Sequence, residues 1–129
     1  MIWADEEGKF YPKGEKKNTY YEGEFVEDSR SGSGVMFVKD ENRIYQGNFD
    51  RGVLTGEGSL RDARRDLVYE GSFKKGTPHG EGKAVFGLSN RVFIGRWRKG
   101  QPVSGKLYNN QGQLLQQGST GWGVELAID

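Results

Sequence analysis

Along most of the chain, aromatic and glycine positions alternate with polar ones, and the alternation returns every 24 residues. Tyr21-Glu22-Gly23-Glu24-Phe25 is followed by Tyr45-Gln46-Gly47-Asn48-Phe49, then Tyr69-Glu70-Gly71-Ser72-Phe73, then Phe93-Ile94-Gly95-Arg96-Trp97. Side chains two apart on a strand point the same way, so Tyr21, Gly23 and Phe25 share a face. The opposite face carries Glu22, Glu24, Gln46, Asn48, Glu70 and Ser72, and is polar except at Ile94. No segment shows a helical period. A second signature keeps step with the first: Gly32-Ser33-Gly34, Gly56-Glu57-Gly58 and Gly80-Glu81-Gly82. The fourth unit departs from it, with Gly105 one residue late and Leu107 where the second glycine is due.

Clusters of Gly, Pro and polar residues divide the alternating runs and signal turns. Within units they cover residues 27–31, 50–55 and 74–79; between units they cover 39–43, 61–66 and 87–91. Each unit reads as two short antiparallel strands, and the chain as an all-β fold, an elongated single-layer antiparallel sheet of tandem β-hairpin repeats. The expected organisation is a single array over residues 1–129, with a partial unit at 1–20, repeats at about 21–44, 45–68, 69–92 and 93–116, and a C-terminal cap at 117–129. At ~4.8 Å per strand such a ribbon is roughly 50 Å long. Glycines leave slots into which a ring from a neighbouring strand can lie. Each unit touches only its neighbours, so the ends need caps. Ile2, Trp3, Phe10 and Tyr11 at one end, and Trp122, Val124, Leu126 and Ile128 at the other, have that character.

The Tyr-x-Gly-x-Phe/Trp opening, the middle glycine and the His-Gly-x-Gly close resemble the MORN (membrane occupation and recognition nexus) repeat. Tyr69-Glu70-Gly71-Ser72-Phe73-Lys74-Lys75-Gly76-Thr77-Pro78-His79-Gly80-Glu81-Gly82 is the fullest match. Unit one has Asp28 in place of the middle glycine, and unit four lacks the His-Gly pair. The resemblance implies an elongated antiparallel sheet whose aromatic residues line a shallow groove. It also implies a protein-interaction, scaffolding or dimerisation module, with phospholipid binding often proposed, and no catalytic residues in the repeat itself.

Composition agrees with a thin, turn-rich structure: of 129 residues, 33% are apolar and 21 are glycine. The absence of cysteine excludes disulfides and thiolate metal sites. The N-terminus lacks the basic start and apolar run of a secretion signal, and no stretch approaches the ~20 apolar residues of a membrane span. A cytoplasmic chain is expected, with membrane association as the alternative. Net charge is +1, yet residues 1–60 hold 8 basic and 12 acidic side chains while 61–129 hold 11 and 6. That polarity could steer a charged partner, but it is not the concentrated basic stripe of a nucleic-acid binder.

The aromatic row Tyr21, Phe25, Tyr45, Phe49, Tyr69, Phe73, Phe93 and Trp97 is the candidate partner-binding groove. Rings at repeat spacing are mostly core, but one layer is not expected to bury them all, and exposed aromatics are strong anchors for a peptide or helix. Lys74, Lys75, Arg96, Arg98 and Lys99 are candidate contacts for anionic lipid, at ~1 kcal/mol each near a charged membrane. His79, the only histidine, sits in a repeat turn without converging partners and is read as a turn residue. Gly-x-Gly without a following helix is no phosphate loop. The residues thus point to a non-enzymatic binding or scaffold module that engages a protein partner or a second copy. No cofactor, metal or small-molecule substrate is expected. Peripheral membrane binding, or a targeting or regulatory part of a larger protein, is the alternative.

Overall fold

The computed structural model describes residues 2–4, 10–12, 19–27, 29–119, 121–122 and 126–128, and for 2–4 and 10–12 the backbone alone. The described residues form one antiparallel sheet of eleven strands in chain order. These are β1 (Ile2–Ala4), β2 (Phe10–Pro12), β3 (Thr19–Val26), β4 (Ser29–Val38), β5 (Arg43–Asp50), β6 (Val53–Asp62), β7 (Leu67–Lys74), β8 (Thr77–Phe86), β9 (Arg91–Arg98), β10 (Gln101–Asn109) and β11 (Leu114–Gly118). The all-β reading of the repeat holds, and each full unit is one hairpin: β3–β4, β5–β6, β7–β8 and β9–β10.

The turns within units are tighter than the polar clusters suggested. Arg51-Gly52, Lys75-Gly76 and Lys99-Gly100 all have positive φ at both residues, with Arg51 at 51° and Gly52 at 88°. This is the two-residue turn whose twist matches that of its strands. Residues 29–31, 53–55 and 77–79, read as turn, are strand instead. Their polar side chains sit beside a bulge that shifts the register between Gly23 and Phe25, Gly47 and Phe49, and Gly71 and Phe73. The loops between units fall at the expected places.

Strand register lines the glycines up in one row: Gly23, Gly34, Gly47, Gly58, Gly71, Gly82, Gly95, Gly105 and Gly118 are successive cross-strand partners. A Cβ at Gly47 would stand 2.8 Å from the Glu57 carbonyl oxygen and from the Cα of Gly58. Only glycine permits such an approach. Without side chains, this row leaves room for rings from the neighbouring positions to lie over it. Gly105 takes the role of the second glycine in unit four, opposite Gly95, because that unit is one residue shorter before it. Leu107 is therefore no misplaced glycine; it pairs with Phe93 as Ala84 does on the other side.

The core lies on one side of the sheet, here the inner face. Tyr21, Phe49, Leu54, Leu60, Leu67, Tyr69, Phe73, Ala84, Phe86, Phe93, Trp97 and Leu107 are buried there in one cluster, joined by Leu126 and Ile128. Half-buried Trp122 packs against the same cluster, its ring meeting Phe93 edge-on at 4.8 Å. Val124 and the side chains of Ile2, Trp3, Phe10 and Tyr11 lie outside the described residues.

Candidate binding site

Six of the eight rings proposed to line a groove are core: Tyr21, Phe49, Tyr69, Phe73, Phe93 and Trp97 are at most 3% exposed. Two devices bury them in a single layer. The first is the glycine slot. The rings of Tyr21 and Tyr69 fill the space where Gly34 and Gly82 would carry a Cβ. Their hydroxyls then donate to the carbonyls of Glu24, at 3.0 Å, and Ser72, at 2.8 Å. Burial pushes both phenol pKa values up; for Tyr21 the nearby Arg30 charge opposes the rise, while for Tyr69 the carboxylates of Glu57 and Glu81 add to it. Edge-to-face contacts then chain Tyr69 to Phe73 and Trp97, and Trp97 to Phe93, at 5.2–5.3 Å. Such pairs add to simple burial. The second device is the C-terminal segment, which returns across the inner face. The Ile128 N–H donates to the Gly100 carbonyl at 2.5 Å, and Arg65 Nη1 donates to the Ala127 carbonyl at 2.8 Å.

Phe25 and Tyr45 are the two rings left half-exposed. Tyr45 occupies the repeat position of Tyr21 and Tyr69 yet stays out of its slot. At Gly58 the space is bounded by Leu54 and Phe73, and a Cβ at Gly47 would come 3.0 Å from Leu54 Cδ1. Leu54 belongs to the position that is Arg30 in unit one and Pro78 in unit three, neither of which reaches into a slot. Displaced from its slot, Tyr45 accepts a hydrogen bond from Arg43 Nη1 at 3.2 Å, while Arg43 holds Asp62 at 2.9 Å. Burial opposes the Arg43 charge, but the Tyr45 hydroxyl and the Asp62 carboxylate outweigh it and raise the Arg43 pKa. Asp62 also accepts the N–H groups of Arg64 and Arg65. This carboxylate pins a loop and is not positioned for acid–base work.

Beside Tyr45 opens a cleft of about 480 Å³, walled by Met36, Val38, Val53 and Leu54, with Glu41 and Gly76 among its rim residues. A cleft of that volume falls within the roughly 300–1,000 Å³ range of ligand sites. Two features of it carried no signal in the repeat signature. Met36 stands at a position filled by Leu60 and Ala84 elsewhere, and Val53 is exposed in a turn-proximal strand.

The candidate lipid contacts are exposed. Lys74 and Lys75 sit at the β7–β8 turn, and Arg98 and Lys99 at the β9–β10 turn one unit on. Arg96 is set apart on the outer face, 3.6 Å from Glu81. His79 Nδ1 accepts the Lys99 backbone N–H at 3.4 Å, so it ties two successive turns together. The outer face is less polar than the alternation implied. Tyr20, Phe37, Ile44, Arg61, Val68, Val85, Val92 and Tyr108 are successive cross-strand partners, apolar or aromatic except at Arg61. Tyr20 and Phe37 stack within it at 5.1 Å. No helix among the described residues is long and apolar enough to cross a membrane.

Residues 21–40, 45–65 and 69–87 each match the family model of the MORN repeat. No match is found among curated proteins. The three matched segments coincide with the first three hairpins, including the slots and turns that set their geometry. MORN repeats are commonly binding or scaffold modules and are generally non-catalytic. By its repeat, its register and its fold, the chain belongs to the MORN-repeat family.

Proposed function

We propose that this chain is a non-enzymatic binding module that holds a protein partner against the inner face of its N-terminal half. The observation that carries the reading is the largely apolar cleft beside Tyr45, whose ring stays half-exposed next to a cluster of fully buried rings. An exposed apolar depression on a rigid sheet stabilises a partner by removing water from both surfaces, with a half-exposed tyrosine as the natural anchor. A second copy of the chain is one such partner, since β11 leaves an edge with exposed Leu114 and Leu115. The test is Tyr45→Ser combined with affinity capture from the native host and with light scattering. Because Tyr45 is outside the core slots, the variant is expected to keep its fold and lose the captured partner. Unchanged capture and unchanged molar mass would remove this face from consideration.

A second reading has its own observation, the four exposed cations at two adjacent turns, about 10 Å apart at two strands per unit. They would bring that edge to an anionic membrane with salt-sensitive affinity. No sedimentation with anionic vesicles at low salt would end it.

A further inference from the structure

The outer face carries a pattern that runs across the strands and is complementary to itself. Its apolar row passes from Phe37 on β4 through Ile44 on β5 to Val85 and Val92 on β8 and β9. The next row, two residues nearer the hairpin turns, starts with Glu22 and Val35 on β3 and β4 and ends with Ile94 and Lys106 on β9 and β10. Val85 and Ile94 are 38% and 48% exposed, and Glu22 and Lys106 are exposed at opposite ends of their row.

The axis that fits this pattern runs parallel to the strands, midway between β6 and β7. A half-turn about it exchanges β3 with β10, β4 with β9 and β5 with β8. Each row then lies over itself in a second copy. Val35 faces Ile94, Phe37 faces Val92, Ile44 faces Val85 and Glu22 faces Lys106, each pair occurring twice. The hollow of about 240 Å³ bordered by Phe37, Ile44 and Arg61 receives Val85 and Val92. Arg61, the one charge in the apolar row, comes over β7, where Glu70 is the next residue on that face. The two halves of the chain agree as well. Residues 1–60 hold 8 basic and 12 acidic side chains and residues 61–129 hold 11 and 6, and the half-turn sets one half on the other. A half-turn about the long axis of the ribbon keeps every strand over itself, and so sets acidic strands on acidic strands.

We propose that the outer face is an interface between two copies of this chain, stacked sheet on sheet about the axis parallel to the strands. Packed sheets keep their strand directions within about 30° of each other, and a two-fold contact has to be complementary to itself. Strands β3 to β10 and two rows cover roughly 500 Å² per copy, roughly 1,000 Å² in all, the lower limit of a specific contact. The dimer is therefore reversible at micromolar concentrations. Both inner faces point away from the contact, so the proposal is independent of what the inner face holds.

Sedimentation equilibrium of the full chain across the micromolar range tests it, and a monomer–dimer equilibrium is expected. Ile94→Glu, at an exposed position, should leave the amide spectrum of the fold intact and weaken the dimer at least about a hundredfold, because it sets a carboxylate against Val35 twice. Glu22→Lys alone and Lys106→Glu alone should each weaken it roughly tenfold, and the two together should restore it. Within one chain β3 and β10 stand roughly 34 Å apart, so only contact between copies gives that rescue. A monomer at every concentration would overturn the proposal. So would a dimer indifferent to Ile94→Glu, or a double variant no tighter than the single ones. Tyr45→Ser should leave the equilibrium unchanged; a dimer lost with that variant and kept with Ile94→Glu runs through the inner face, and the outer-face contact falls.

Discussion

Units two and three share backbone, register and turn type, and yet one leaves its tyrosine in a cleft and the other seals it in the core. Tyr69 drops into the slot at Gly82, and residues 126–128 lie across the seat between Gly100 and Arg65. Tyr45 finds Leu54 at the equivalent slot, and among the described residues a cleft borders its ring. The repeat fixes where a slot is. A residue on the neighbouring strand decides what fills it, and so whether an identical signature residue becomes core or surface.

The largest expected effect separates the two tyrosines. Tyr69→Ala empties a slot in the middle of the ring chain and should cost about 3–5 kcal/mol, the usual range for deleting a buried aromatic ring. Tyr45→Ala removes a half-exposed ring and should cost under about 1.5 kcal/mol, near the average for point substitutions. Urea unfolding of both variants checks the contrast, and equal losses would show that the two positions are equivalent after all. Next in size is Ile128→Ala, expected to cost about 2–4 kcal/mol as a buried branched side chain. Its loss should also speed amide exchange at Gly100, Pro78's neighbours and Arg65, while leaving the turn at Gly52 unchanged.

Most of the fold could be read from residues alone, because period, register and turn chemistry are local or nearest-neighbour properties. The site could not. That Leu54 displaces Tyr45 depends on two strands meeting across a glycine pair, and the Tyr-x-Gly-x-Phe signature looks the same in every unit. The row from Tyr20 to Tyr108 was invisible for a related reason. Its members lie at the ends of strands, outside the signature, and come into line only when register is known. In unit four, pairing and not spacing showed that Gly105 is the second glycine and Leu107 a core residue. The turn clusters misled at residues such as Arg30 and Thr77, which are polar and yet belong to strands.

Alkaline titration offers a smaller test of the same contrast. The Tyr69 phenol is raised from its ordinary value of 10.0 by burial, with Glu57 and Glu81 adding to the rise. Below the unfolded value both states hold the proton, and the contribution of the buried phenol is complete. As pH rises past about 10 the unfolded chain releases the proton more readily, so stability is lost. Chemical unfolding between pH 8 and pH 11 should show that fall, and Tyr69→Phe should reduce it, leaving the share of Tyr21, whose phenol burial also raises.

The smallest change in stability, and the sharpest in geometry, is expected from Leu54→Pro. Proline already stands at this position in unit three, as Pro78, and again in unit four at Pro102, where the pairing with Phe73 or Trp97 is kept. The backbone of unit two should therefore accept it without losing a ladder bond it needs. With the leucine side chain gone, the space beside Gly58 is free, and the Tyr45 ring can take the place that Tyr21 and Tyr69 take in their own units. The gain of a buried ring offsets the loss of Leu54, so the net change should be within about 1 kcal/mol, as for volume-conserving core exchanges. The cleft, however, loses its aromatic wall. Tyr45 ring resonances should move to the shifted positions of buried tyrosines, and its hydroxyl should leave Arg43. If Tyr45 stays exposed in this variant, then something other than Leu54 holds it out of the slot, and the single-residue account of the difference between units two and three is wrong.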